Sequence, residues 1–186
     1  HVHIPMQSGD DQVLRDMGRH YSADQYLEIV ASLRRAVPQV NVTTDVIVGF
    51  PSESEAAFER TLAAVGAAEI TRVHTFPYSP RPGTAAERLG DPVPPEEKKR
   101  RAAAMRGRSE VVSRRHRSVK LGKAEMVLID KVSERQCSGY TADYTRCYLP
   151  ANAGGRGQLV SVHCQELQAD GIACGIPGSP GLPSAL

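Results

Sequence analysis

Three times this chain runs an apolar, β-branched segment straight into a loop of unusual polar chemistry. The runs are His1-Val-His-Ile-Pro-Met-Gln-Ser-Gly9, Val42-Thr-Thr-Asp-Val-Ile-Val-Gly-Phe-Pro-Ser-Glu53 and Val73-His-Thr-Phe-Pro-Tyr-Ser-Pro-Arg-Pro-Gly-Thr84. Helical sequence separates them. Strand, helix, strand, helix, strand reads as consecutive βαβ units with parallel strands. In such architectures the residues at the carboxyl ends of the strands, and in the loops that follow, build the active site. The pattern therefore points to an enzyme and locates its chemistry. Three strands do not close a barrel, and the chain opens inside the first of them. It reads either as the C-terminal part of a longer protein or as an open α/β piece.

Local signals set the elements. Ser22 with Gln25 three residues on predicts a capping box, and Tyr26, Leu27, Ile29, Val30 and Leu33 follow at helical spacing. Ser54 predicts a second cap, with Phe58, Leu62 and Val65 on one face. Val40 to Phe50 and Ile70 to Phe76 read as strands. Prolines and glycines over 79–95 predict an exposed connector. Pro94 or Pro95 then opens a helix running to about Val119. After Gly122 the pattern changes to short β runs, Ala124 to Ile129, Thr145 to Leu149 and Gln158 to Cys164. Glycines punctuate these runs, as in a small β-barrel. The fold class is thus α/β plus all-β. The expected domains are 1–93, a basic connecting helix at 94–120, a β-barrel at 121–175 and a disordered tail at 176–186.

Charge is unevenly spread. From Glu96 to Lys120 there are ten Lys or Arg against three Glu, in a chain whose total is only +2. So few acids on the helix leave cations for a polyanion such as RNA. Tyr140, Tyr144, Arg146 and Tyr148 are closely spaced on the β module and suit base stacking and phosphate contact. Arg81, Lys120, Lys123, Tyr140, Tyr144 and Arg146 are the candidate RNA contacts. The four cysteines, Cys137, Cys147, Cys164 and Cys174, lack knuckle spacing and read as reduced core residues. His1, His3 and His74 tempt a metal reading, but no carboxylate cluster accompanies them in the sequence, and no metal ligand is assigned. No stretch approaches the ~20 apolar residues of a membrane span, so the default location is cytoplasmic.

The strings His3-Ile-Pro-Met-Gln-Ser-Gly9, Met17-Gly-Arg-His-Tyr21, Thr44-Asp-Val-Ile-Val-Gly-Phe-Pro51 and Tyr78-Ser-Pro-Arg-Pro-Gly-Thr84 together resemble the radical S-adenosylmethionine (SAM) methylthiotransferases. The resemblance covers residues 1 to about 170. It implies the C-terminal part of a radical SAM (partial TIM-type) barrel followed by an RNA-binding TRAM β-barrel. Phe76-Pro-Tyr-Ser79 and Gly139-Tyr-Thr-Ala-Asp-Tyr-Thr-Arg-Cys-Tyr-Leu-Pro150 look most like the branch that modifies N6-threonylcarbamoyladenosine in the tRNA anticodon stem-loop. The isopentenyladenosine and ribosomal-protein branches are the alternatives, as is a stand-alone RNA-binding remnant.

By position, the resemblance implies SAM contacts from Gln7, Ser8, Arg19, Ile47, Val48, Gly49, Phe76 and Tyr78. It implies two 4Fe–4S clusters in the complete enzyme. The family's Cys-x3-Cys-x2-Cys motif is not in this chain, so the expectation is that the chain alone holds no cluster, carries no catalytic residue and is inactive.

Overall fold

The computed structural model describes residues 1–177. The expected disordered tail lies outside the described residues from position 178 onward. The chain divides into two compact units, Val2–Ser113 and the remainder from Arg114 together with His1.

The first unit is built on a parallel three-stranded sheet of order β1 (Val2–His3), β2 (Val42–Val48), β3 (Arg72–Pro77). Helices α1 (Asp11–Asp16) and α2 (Ala23–Ala36) lie between β1 and β2 in the chain, and α3 (Glu55–Ala67) between β2 and β3. The capping box forms: Ser22 accepts from the Gln25 N–H while Gln25 accepts from the Ser22 N–H. Ser54 caps α3 through the Ala57 N–H. A short 3-10 turn (Ala85–Leu89) and α4 (Pro95–Ser118) follow β3.

Because strand side chains alternate, β2 has two different faces. Val42, Val46 and Val48 pack under the helices with Tyr26, Val30, Phe58, Val65 and Ile70. Ala102 and Met105 of α4 are buried in the same core, so this helix is structural as well as connecting. Asp45 and Ile47 turn to the opposite face. The parallel register sets Asp45 beside His74 and Ile47 beside Phe76 on β3, with His3 beside Thr43. Beyond His3 the first strand loosens. Thr44 holds it, donating from Oγ1 to the Ile4 carbonyl at 2.6 Å and accepting from the Met6 N–H at 2.8 Å.

The second unit is a closed five-stranded barrel of order β4 (Ala124–Val132), β5 (Gln136–Thr141), β6 (Arg146–Pro150), β8 (Ile172–Gly175), β7 (Leu159–Leu167), with β7 returning to β4. Sequence reading found β4, β6 and β7 and missed β5 and β8. In β5 the signal was masked by Ser138-Gly139, and Gly139 has a physical reason. A Cβ there would sit 2.1 Å from the Leu128 carbonyl oxygen, so only glycine lets β5 approach β4 so closely. The barrel core is Val127, Ile129, Leu149, Val162 and Ile172 with all four cysteines, which are free and buried. The neighbouring Cys164 thiol, and after it burial, pushes the Cys147 thiol up to about 12, against an opposing effect of Cys174.

Candidate functional site

A cleft of about 730 Å³ lies at the carboxyl ends of the three parallel strands. That volume is in the range of small-molecule sites. Gln7, Arg19, Ile47, Phe76 and Tyr78 line it, joined by Arg15, Asp45, Phe50 and Arg81. Residues from all three strand ends therefore converge, as the three-run sequence pattern requires.

Gln7 follows β1 with φ of 64°. A non-glycine residue in the left-handed region is strained, and such strain persists only where the surroundings hold it. Here the Gln7 N–H donates to the Asp45 carbonyl at 2.8 Å and its carbonyl accepts from the Ile47 N–H at 2.9 Å. The next turn is equally fixed. Asp10 caps α1 through the Val13 N–H, and its other oxygen takes the Arg60 Nε–H at 2.7 Å. Burial raises the Asp10 carboxyl, but these bonds outweigh it and leave the group below its usual value. Helix α1 then delivers Arg15 and Arg19 to the rim.

Three expected cofactor contacts do not line the cleft. Ser8 is fully buried, and its Oγ lies 3.3 Å from the Thr61 hydroxyl and accepts from the Asp10 N–H. It ties the loop to α3. Val48 shares the parity of Val42 and Val46 and belongs to the core beneath the helices. At Gly49 (φ 73°) the backbone makes a close approach, but to Lys98 and not to an open cleft. A Cβ there would meet Lys98 Cγ at 2.5 Å. Lys98 crosses Gly49 to donate to the Tyr78 carbonyl at 2.8 Å and to pair with Asp91. It straps the ends of β2 and β3 together.

Sequence reasoning missed this strap and the pair beside it. Glu53 accepts from the Gly49 N–H at 2.6 Å and from Arg101 Nη1 at 2.7 Å. Burial pushes its carboxyl up, and these donors oppose that only in part. Arg100 pairs with Glu55 and Glu97, and Arg101 also reaches Glu97. Counting acids on the helix alone left its cations unpartnered. The structure partners Lys98, Arg100 and Arg101 with the loop after β2, the segment after β3 and α3, besides Glu97 of the helix itself.

The histidine reading also changes. Asp45 stands between His3 and His74, its Oδ1 3.3 Å from His3 Nε2 and 4.0 Å from His74 Nδ1. This is one carboxylate and not a cluster. No group of three or more His, Cys, Asp or Glu suited to a metal ion occurs among the described residues.

On the barrel, Tyr140 and Tyr144 stack with centroids 4.5 Å apart and planes 12° from parallel. Tyr144 has φ of 65° and is exposed. The Arg146 guanidinium lies over the Tyr148 ring at 5.2 Å, and Lys123 is exposed. Lys120, expected to touch RNA, is buried and commits its ammonium to Glu125 at 2.8 Å and Asp143 at 2.9 Å. Burial lowers its pKa, but the two carboxylates outweigh that and raise it. Asp143 also pairs with His116 at 2.8 Å. Burial raises the Asp143 carboxyl, yet His116, Thr141 and Lys120 together hold it well below the usual carboxylate range. No described helix is long and apolar enough to cross a membrane.

The sequence pattern of the Radical SAM superfamily matches residues 1–65. The chain is 40% identical over 173 residues to threonylcarbamoyladenosine tRNA methylthiotransferase MtaB of Thermotoga maritima, covering 92% of this chain and 39% of that protein. It is 38% identical over 172 residues to a tRNA-2-methylthio-N(6)-dimethylallyladenosine synthase of Endomicrobium trichonymphae, covering 92% and 41%. A synthase of the same name from Geobacillus thermodenitrificans is 36% identical over 169 residues, covering 89% and 32%. The chain thus spans about two fifths of the length of the first two relatives. Residues 1–65 thus match the Radical SAM superfamily, and over 92% of its own length the chain is similar to tRNA methylthiotransferases.

Proposed function

We propose that this chain supplies the SAM-facing strand ends and the RNA-binding barrel of a cytoplasmic tRNA methylthiotransferase. In this reading the enzyme places a methylthio group on C2 of N6-threonylcarbamoyladenosine beside the anticodon. The observation that carries it is the convergence of Gln7, Arg19, Ile47, Phe76 and Tyr78 on one cleft.

The residues present fit SAM. Ile47, Phe50 and Phe76 offer apolar surface to an adenine ring, Gln7 offers an amide to ribose hydroxyls, and Arg19 a guanidinium to the methionine carboxylate. Bound there, SAM would supply radical chemistry once given an electron by a cluster held outside these residues. The chain's part is to orient it and exclude water around the adenine. An iron–sulfur cluster does not fit these residues. All four cysteines are buried in the second unit's core.

The barrel fits the reading as a TRAM-type module. Stacked Tyr140 and Tyr144 and the Arg146–Tyr148 pair form an aromatic, cationic surface suited to single-stranded bases. The threonylcarbamoyl branch is favoured by the Gly139–Pro150 string, which shapes that surface.

Deleting the gene and analysing tRNA nucleosides by mass spectrometry tests the reading. Loss of the methylthio form of threonylcarbamoyladenosine supports it. Loss of the isopentenyl counterpart instead transfers the protein to that branch, and an unchanged nucleoside profile overturns the activity. Gln7→Ala and Arg19→Ala in the full-length gene product should each weaken SAM binding about tenfold.

A further inference from the structure

The face of the sheet turned away from the helices carries ionisable groups where a core would be apolar. Asp45 sits on the central strand. His3 flanks it from β1 and His74 from β3, their rings 5.6 Å apart. His3 is itself oriented, with Nδ1 2.9 Å from the Thr43 hydroxyl, which turns Nε2 toward Asp45. His3 Nε2 is the nearer, 3.3 Å from Asp45 Oδ1, while His74 Nδ1 stands 4.0 Å from the same oxygen, beyond hydrogen-bond reach. No described residue hydrogen-bonds to Oδ2. Asp45 nevertheless lines the cleft, and its side chain retains 27% exposure.

A carboxylate with an imidazole close to one oxygen and the other oxygen open accepts a further donor. It selects an N–H or O–H donor and disfavours a phosphate or another carboxylate. The surroundings narrow the ligand. Ile47 and Phe76 stand one inward-facing step further along their strands, about 7 Å away, and present flat apolar surface. A planar ring with an N–H edge satisfies both features, which describes a purine. Two purines are at issue, the adenine of SAM and the base being modified. Gln7, Phe50 and Tyr78 at the strand ends form the place for the first; Ile47 and Phe76 come next along β2 and β3 and serve both rings, and Asp45 lies one inward-facing step further from the strand ends.

We propose that Asp45, flanked by His3 and His74, is the acceptor for an N–H on the edge of the purine to be modified. The assignment rests on the function proposed above. Asp45 is a positioning residue for the substrate, and His3, the nearer imidazole, positions Asp45.

The test uses the full-length gene product, an anticodon stem-loop RNA and SAM. Asp45→Asn keeps the volume and one neutral acceptor, and Asp45→Ala removes both. KM for the RNA should rise about tenfold in Asp45→Asn and about a hundredfold in Asp45→Ala, since bonds to a charged acceptor are the stronger ones. SAM affinity and the unfolding midpoint should stay at wild-type values. His3→Ala should give a smaller KM rise of the same kind. Wild-type KM in both Asp45 variants, with an active wild-type enzyme, overturns this proposal alone. Lost SAM affinity with unchanged KM for RNA also overturns it, by assigning Asp45 to the cofactor. A wild-type protein that modifies no RNA overturns the function reading, and the Asp45 assignment falls with it.

Discussion

Arg101 Nη1 donates to Glu53 Oε2 at 2.7 Å with both side chains almost wholly out of water, 6% and 0% exposed. The same guanidinium donates to the Glu53 carbonyl at 2.9 Å. This pair joins α4 to the loop after β2, and through Glu53 to the Gly49 N–H. It fixes the far end of the central strand, from which the cleft is built.

Arg101→Ala leaves the Glu53 carboxylate buried without its cation. Breaking a buried pair from one side costs about 3–5 kcal/mol. The expected result is a lower urea midpoint for the first unit. Arg101→Ala combined with Glu53→Gln should recover part of that loss, because no buried charge remains.

Gly139→Ala should destabilise the barrel by about 1–3 kcal/mol, as overpacking against fixed groups does. The new methyl would meet the Leu128 carbonyl and the Ile129 Cα, which are backbone atoms. Gly107→Ala is the control, since nothing lies within 4 Å of a Cβ there. Thermal unfolding of the two variants should separate them clearly.

The Lys120–Asp143–His116 cluster gives the barrel an acid limit. The Asp143 carboxyl is held below its ordinary value of 3.8 in the folded state. Its contribution is therefore fully present above that value and is lost as pH falls from 3.8 toward the folded pKa. Melting temperature measured from roughly pH 6 downward should drop steeply below about 4 in the wild type. Asp143→Asn should start lower and show a shallower fall over the same window.

Tyr144→Ala should weaken binding of a single-stranded anticodon-loop RNA by about 1–3 kcal/mol, the range for one lost stacking contact. Circular dichroism should show an intact barrel, because the ring is exposed and its backbone carries positive φ. Lys120→Ala should behave in the opposite way and lose stability first. Titration at two salt concentrations separates phosphate contacts from stacking, since only the former are strongly salt-dependent.

Much of the first unit is legible residue by residue. Ser22, Gln25 and Ser54 announce helix starts because capping is local. The apolar β2 run announces a buried strand. What escaped was non-local. Asp45 could be linked to His3 and His74 only once strand register was known, and register follows from contacts 29 to 42 residues apart in sequence. Lys98 and Arg101 read as cations left for a polyanion because partners from other elements could not be counted. That Val48 does not line the cleft could have been read from the strand itself. Strand alternation places it with Val46 on the helix side, opposite Asp45 and Ile47. Likewise Ser8 sits between a cleft residue and a glycine packed on Thr61, and sequence alone does not say which way it turns.

Closure of the second unit carries a consequence for how it can be altered. With β7 returning to β4, every strand of the barrel has a neighbour on both sides. A visitor finds no vacant main-chain ladder along those strands and must be recognised through outward side chains. Its preferences are therefore written in replaceable letters. Tyr140, Tyr144, Arg146 and Tyr148 can be exchanged one at a time, and the discrimination of the surface retuned, while the strand register beneath stays where it is.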